Sequence, residues 1–187
     1  EGSIVRGPLA LCESAGLKLG TKVYGPTTLG PHCKVGGEVN NVIFQAYSNK
    51  GHDGFLGNSV IGEWCNLGAD TNSSNLKNNY SHVSAYSYET GETEKTDVQF
   101  MGLIMGGHSK CGINTMFNTA TVVGVSANIY GAGFPDKMVP SFTWGGADGM
   151  VPFKLDKAVE VAKAMMSRRK VEFTEGDLEI FEFLEGK

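Results

Sequence analysis

The sequence predicts an all-β chain wound as a parallel β-helix, and three observations predict it. Aliphatic or similar apolar residues recur at every sixth position: Val5, Leu11, Leu17, Val23, Leu29 and Val35, and later Met105, Cys111, Phe117, Val123 and Ile129. A mostly small residue stands four places after each, as at Ala15, Thr21, Thr27, Cys33, Ser109, Thr115, Thr121 and Ala127. Glycine often follows the apolar residue, as in Leu29-Gly30, Val35-Gly36, Ile61-Gly62, Leu67-Gly68, Cys111-Gly112 and Val123-Gly124. A period of six fits neither the 3.6 of a helix nor the 2 of an isolated strand. It is the period of a hexapeptide solenoid. A Gly-rich antiparallel sandwich would not keep that period through two separate runs.

Each hexad supplies one short strand and one turn. Three hexads close a triangular coil of about 18 residues, and coils stack at the inter-strand spacing of roughly 4.8 Å. The apolar residue points into the prism, and the small residue fits the corner. Gly and Asn tolerate the positive φ that sharp corners need. No coil buries its apolar face alone, so each depends on its neighbours.

Along the chain, residues 1–134 read as the β-helix domain. The beat holds through residues 1–40 and is lost over 41–60, where a first excursion is expected around Asn49-Lys50-Gly51-His52-Asp53-Gly54. It resumes at Ile61 and Leu67. The polar, Asn-rich stretch 72–101 reads as a second excursion, with a hairpin in it. Residues 102–134 give two more coils. Residues 135–187 read as an irregular segment, marked by Pro135, Pro140 and Pro152, followed by two helices that cap or pack on the prism. Lys154–Lys170 carries Leu155, Ala158, Val159, Ala162, Met165 and Met166 on one face. Its basic end, Arg168-Arg169-Lys170, complements the helix dipole. Thr174-Glu175-Gly176-Asp177 resembles a capping box that opens the last helix.

Composition narrows the function. The 187 residues are 41% hydrophobic and carry a formal net charge of −4, with Lys and Arg dispersed. That lacks the basic footprint of a nucleic-acid binder. No apolar run reaches the roughly 20 residues of a membrane span. The four cysteines form no CxxC, and Cys33, Cys65 and Cys111 fall on repeat positions, so they read as small core residues of a reducing, cytoplasmic compartment rather than as a disulfide or zinc set. The chain has no initiator Met and enters the repeat at once, which suggests the C-terminal part of a longer protein.

His52, set between glycines Gly51 and Gly54, is the best base candidate. An imidazole near pKa ~6.5 exchanges protons at neutral pH. Glu38, fourteen residues earlier and close to one coil away, is placed to orient it. His32 and His82 are less favoured, and His108, within a repeat, reads as packing.

The run His52-Asp53-Gly54-Phe55-Leu56-Gly57-Asn58-Ser59-Val60-Ile61-Gly62, continuing through Asn66-Leu67-Gly68-Ala69-Asp70-Thr71 to Asn75-Leu76-Lys77, resembles the acetyltransferase domain of bifunctional N-acetylglucosamine-1-phosphate uridyltransferases. Gly106-Gly107-His108-Ser109-Lys110-Cys111-Gly112-Ile113-Asn114 resembles their archaeal-type relatives, the sugar-1-phosphate nucleotidylyltransferase/acetyltransferases. The resemblance covers residues 20–134. It implies a left-handed β-helix working as a homotrimer, with acetyl-CoA held between neighbouring prisms. It also implies a missing N-terminal nucleotidyltransferase domain. The implied reaction is acetyl transfer to the amine of an amino-sugar 1-phosphate, without a metal. By the same resemblance His52 is the base, Glu38 supports it, and Asn75 contacts sugar and acetyl groups. Asn66, Asn40, Phe55 and Lys77 fall in the acceptor region, and Ala69, Gly107 and Gly131 line the thioester groove. The sequence departs from the family at three of these positions. Asn40 replaces a phosphate-binding lysine, Phe55 a tyrosine, and Gly107 a serine, while two residues are missing before Glu38. Lys34, Lys50 and Lys77 are the cations that could substitute. The alternative function is a non-catalytic trimerisation or regulatory β-helix.

Overall fold

The computed structural model describes residues 1–186. The hexads wind into a triangular parallel β-helix, and its inward-pointing residues form three columns. The first runs Val5–Val23–Val39–Leu56. The second runs Leu11–Leu29–Phe44–Ile61–Met105–Val123–Val139. The third runs Leu17–Val35–Lys50, then Leu67–Cys111–Ile129–Gly145. Most of these side chains belong to one continuous buried core. At roughly 25 cal/mol per Å², the burial of such aliphatic columns is the main favourable term holding the rungs together.

Residues 41–60 stay within the prism instead of leaving it. Strand Glu38–Phe44 pairs in parallel with strand Phe55–Ile61 across six register pairs. The beat is lost there because the rungs are short. Leu17 to Val35 takes eighteen residues, whereas Val35 to Lys50 takes fifteen. The Gly36-Gly37 corner lacks two residues, and both long strands cross the next corner with one residue fewer. The inward place also holds a lysine where an aliphatic residue is expected.

The second excursion is a hairpin as expected: Ser84–Tyr86 pairs antiparallel with Thr93–Lys95. The prism also continues past residue 134. Met138–Val139 and Thr143–Gly146 add to the second and third faces, and Gly149–Pro152 folds back antiparallel to end the third.

Two helices follow. α1 spans Leu155–Ser167, and α2 spans Glu175–Glu185 with Thr174 and Asp177 closing a reciprocal capping box. Their apolar faces meet Phe142 and Phe153 in a second buried cluster that includes Ala158, Ala162 and Phe181. Phe181 abuts His108 at the corner between the second and third faces, with ring centroids 5.1 Å apart. That corner carries a ladder of rings, His32, Tyr47, Trp64 and His108, all at positive φ. The helices therefore lie beside the prism, over its third face and this ladder.

Candidate active site

His52 lies two residues beyond the inward Lys50, on the corner between the third and first faces. Its ring is exposed and makes no hydrogen bond to any described residue. Two neighbouring grooves share this corner. One, of about 510 Å³, is lined by Lys18, Gly37, His52, Asp53, Ala69 and Asp70 among others. The other, of about 390 Å³, runs onto the third face past Lys34, Asn49, Asn66 and Ile113. His52, Asn66 and Ala69 thus line one groove.

The corner is held from inside the prism. Lys50 is fully buried, and its Nζ donates to the carbonyls of Gly36 (3.2 Å), His52 (3.0 Å) and Asp53 (3.2 Å). Three ammonium donors meet three carbonyls, so the charge is satisfied although the group has left water. Burial pulls its pKa down to about 8, while the nearby Asp53 and Asp70 carboxylates pull the other way. The glycines fit this arrangement. Gly37 has φ +73°, and a Cβ there would sit 2.8 Å from the Lys50 Nζ and from the carbonyls of His52 and Gly54. A Cβ on Gly54, at φ +109°, would run into the Thr71 carbonyl.

The remaining expected residues are distributed around the prism. Glu38 does not pair with His52 within the chain. Its Oε1 accepts a 2.5 Å bond from the Tyr24 hydroxyl one rung away, and that carboxylate raises the Tyr24 pKa above its ordinary value. The carboxylates lining the His52 groove are Asp53 and Asp70. Asn40 and Phe55 stand on the outer surface of the first face. Asn40 is opposite Gly57 in the ladder, and Phe55 is opposite Glu38. The Phe55 ring and the Asn75 amide converge over Gly57, where a Cβ would meet them at 2.6 and 2.7 Å. Asn75 Nδ2 donates to Asn58 Oδ1 at 2.7 Å, which fixes the amide orientation.

Lys77 is turned away from the His52 corner. Its Nζ donates to the His82 carbonyl at 2.8 Å, and it lines a separate groove with Asn78, Asn79 and Asn118. Ala69 and Gly131 share one corner, two residues past Leu67 and Ile129, whereas Gly107 lies on the opposite edge of the third face beside Glu63. A Cβ at Gly107 would only touch Glu63 at 3.4 Å, so packing does not require glycine there.

The sequence reading placed no role on Lys18 or Asp70, and read Arg168 and Arg169 only as complements of the helix dipole. Lys18 and Asp70 flank repeat positions and carried no distinguishing signal. Arg168 and Arg169 come from a distant helix. Cys33, Cys65 and Cys111 are buried, and burial pushes the Cys65 thiol up to about 12, so these act as packing groups. No group of three or more His, Cys, Asp or Glu able to hold a metal is found among the described residues. No helix among them is long and apolar enough to cross a membrane.

The architecture defines a class: a parallel β-helix followed by two helices. No protein-family model matches the chain, and no curated protein matches it by sequence. Solved structures do. The S84C mutant of AntD, an N-acyltransferase from Bacillus cereus in complex with dTDP-4-amino-4,6-dideoxyglucose and coenzyme A, aligns with TM-score 0.61 at 10% identity, covering 85% of this chain and 90% of that one. The polySia-specific acetyltransferase NeuO aligns with TM-score 0.44 at 14% identity, covering 90% and 94%. The chain therefore has the β-helix fold found in an N-acyltransferase. The likeness is one of fold and does not extend to the uridyltransferase family.

Proposed function

We propose that this chain transfers an acetyl group from acetyl-CoA to the amine of an amino-sugar 1-phosphate resembling glucosamine 1-phosphate. The amine nitrogen attacks the thioester carbonyl, His52 takes the proton that the nitrogen loses, and as the C–S bond breaks that proton passes to the departing sulfur, so coenzyme A leaves as its thiol and His52 is again neutral. Asn66 and Asn75 supply polar contacts to the acceptor. The observation that carries this reading is the exposed imidazole of His52, held at the mouth of a groove shared with Asn66 and Ala69. The fold also occurs in an N-acyltransferase solved with an amino-sugar nucleotide and coenzyme A.

Ala69 and Gly131 lie on one corner and Gly107 on another, so one thioester groove lined by all three needs a second chain. A homotrimer supplies it. The orienting carboxylate for His52 is then Asp53 or Asp70, which share its groove, or a group from the neighbouring prism.

The test is thiol release from acetyl-CoA measured across a panel of amino-sugar phosphates. Release with one acceptor, lost in His52→Ala by about 10²–10⁴-fold with the oligomer intact, supports the proposal. No release with any acceptor, together with no calorimetric binding of acetyl-CoA, favours the non-catalytic trimeric scaffold.

A further inference from the structure

The third face carries a second groove, of about 560 Å³, between the prism and the C-terminal end of α1. It is lined by Lys34, Lys110, Arg168 and Arg169, with Asn49 and Asn66 on its floor. Lys34, Asn49, Asn66 and Lys110 are successive outward residues of that face, one rung above another. No carboxylate lines the groove. None of the four cations is in an ion pair, since Lys157–Glu160 is the ion pair among the described residues; Lys110 Nζ donates to the His108 carbonyl at 2.7 Å and Arg169 Nη2 to Asn49 Oδ1 at 3.4 Å, both uncharged partners. Four unneutralised cations in one concavity are unusual in a chain of net charge −4, and a cleft lined by one sign of charge concentrates anions. Helix-dipole complementarity explains basic residues at a helix end, but not the alignment of two arginines over two lysines that belong to the prism. The groove also shares Lys34, Asn49 and Asn66 with the groove that reaches His52.

We propose that Lys34, Lys110, Arg168 and Arg169 form a phosphate-binding site that holds the anionic part of a ligand whose reacting end lies at His52. The guanidinium pair offers bidentate donors to phosphate oxygens, and the lysines add point charge. The site provides cations on the third face, whereas Asn40, which replaces the expected lysine, stands on the first face. It excludes two of the substitutes considered from sequence: Lys50 is inside the prism, and Lys77 faces the hairpin. Its anion chemistry stands on the four cations, while the ligand's destination rests on the acetyltransferase reading.

Two ligands of that reading carry phosphate, and calorimetry on the full chain separates them with adenosine 3′,5′-bisphosphate and glucosamine 1-phosphate as probes. Arg168→Gln/Arg169→Gln is compared with Lys34→Gln, an exposed strand residue whose side chain makes no hydrogen bond to a described residue. Binding of one probe should weaken about ten- to a hundredfold in both variants and should weaken with added salt in the parent chain. Loss for the bisphosphate assigns the groove to the acyl donor, and loss for the sugar phosphate assigns it to the acceptor. Unchanged affinity in both variants, or no binding of either probe to the folded parent chain, overturns the site. Thiol release that proceeds normally in the arginine variant sinks this groove and leaves the acetyltransferase reading intact. Phosphate binding that depends on the arginines, without any thiol release, keeps the groove and sinks that reading.

Discussion

Lys50 occupies a column that also holds Leu17, Val35, Leu67 and Cys111, and it uses that place to tie the His52 and Asp53 carbonyls to Gly36. Because burial holds its pKa near 8, the cost of the buried charge is carried in full below about pH 8, and its contribution makes stability rise with pH from there to about 10.5. The geometry runs the other way. Above about pH 8 the neutral amine has two donors for three carbonyls. Lys50→Met should therefore keep the fold but raise hydrogen exchange at residues 52–54 and lower kcat more than it changes KM. The parent chain should lose activity above about pH 8 as Lys50 loses its proton, and that loss should flatten in the variant. Unchanged exchange and unchanged kcat would remove Lys50 from the account. His52 itself was legible in the sequence because glycines flank it. The partners of Glu38 and Lys50 were not, because both depend on which rung lies above which, and the shortened rungs upset that count.

The helices and the ring ladder form one element-scale unit. His108 packs edge-on against Phe181 of α2 and stacks toward Trp64, and its Nδ1 is buried without a partner. Burial, reinforced by the Lys110 charge and opposed by Asp177, brings its pKa down to about 4. The folded state thus binds the proton less well than the unfolded one. His108 should cost the fold up to roughly 3 kcal/mol as pH falls from about 6.5 to about 4. Tryptophan fluorescence and near-UV circular dichroism should report loosening of α2 across that window, and His108→Phe should abolish it. A variant with the same acid profile as the parent would show that another group governs the dock. The capping box of α2 and the apolar face of α1 were readable because both signals are local. The docking of Arg168 and Arg169 over the third face was not, since it pairs a helix end with strands more than fifty residues earlier.

At the scale of the molecule the prism is a stack in which each rung is covered by the next. Phe44 and Phe117 sit mid-stack, fully buried, whereas Val5 and Leu11 in the first rung are about half exposed (48% and 49%). Phe44→Ala or Phe117→Ala should cost about 3–5 kcal/mol, and Val5→Ala well under half of that, by denaturant unfolding. Equal costs would mean that the stack does not share its core as the columns indicate. The hexad period made this architecture readable wherever the inward residues were apolar and six apart. It failed from Val35 to Ile61, where Val39 follows Val35 by four and Lys50 takes an apolar place. The central claim is that the His52 corner carries out acyl transfer. The most direct measurement is single-turnover acetyl transfer by His52→Asn in a preparation shown by calorimetry to bind acetyl-CoA as the parent does. Binding should be retained and transfer slowed by about 10²-fold or more; transfer at the parental rate would contradict a catalytic role for His52.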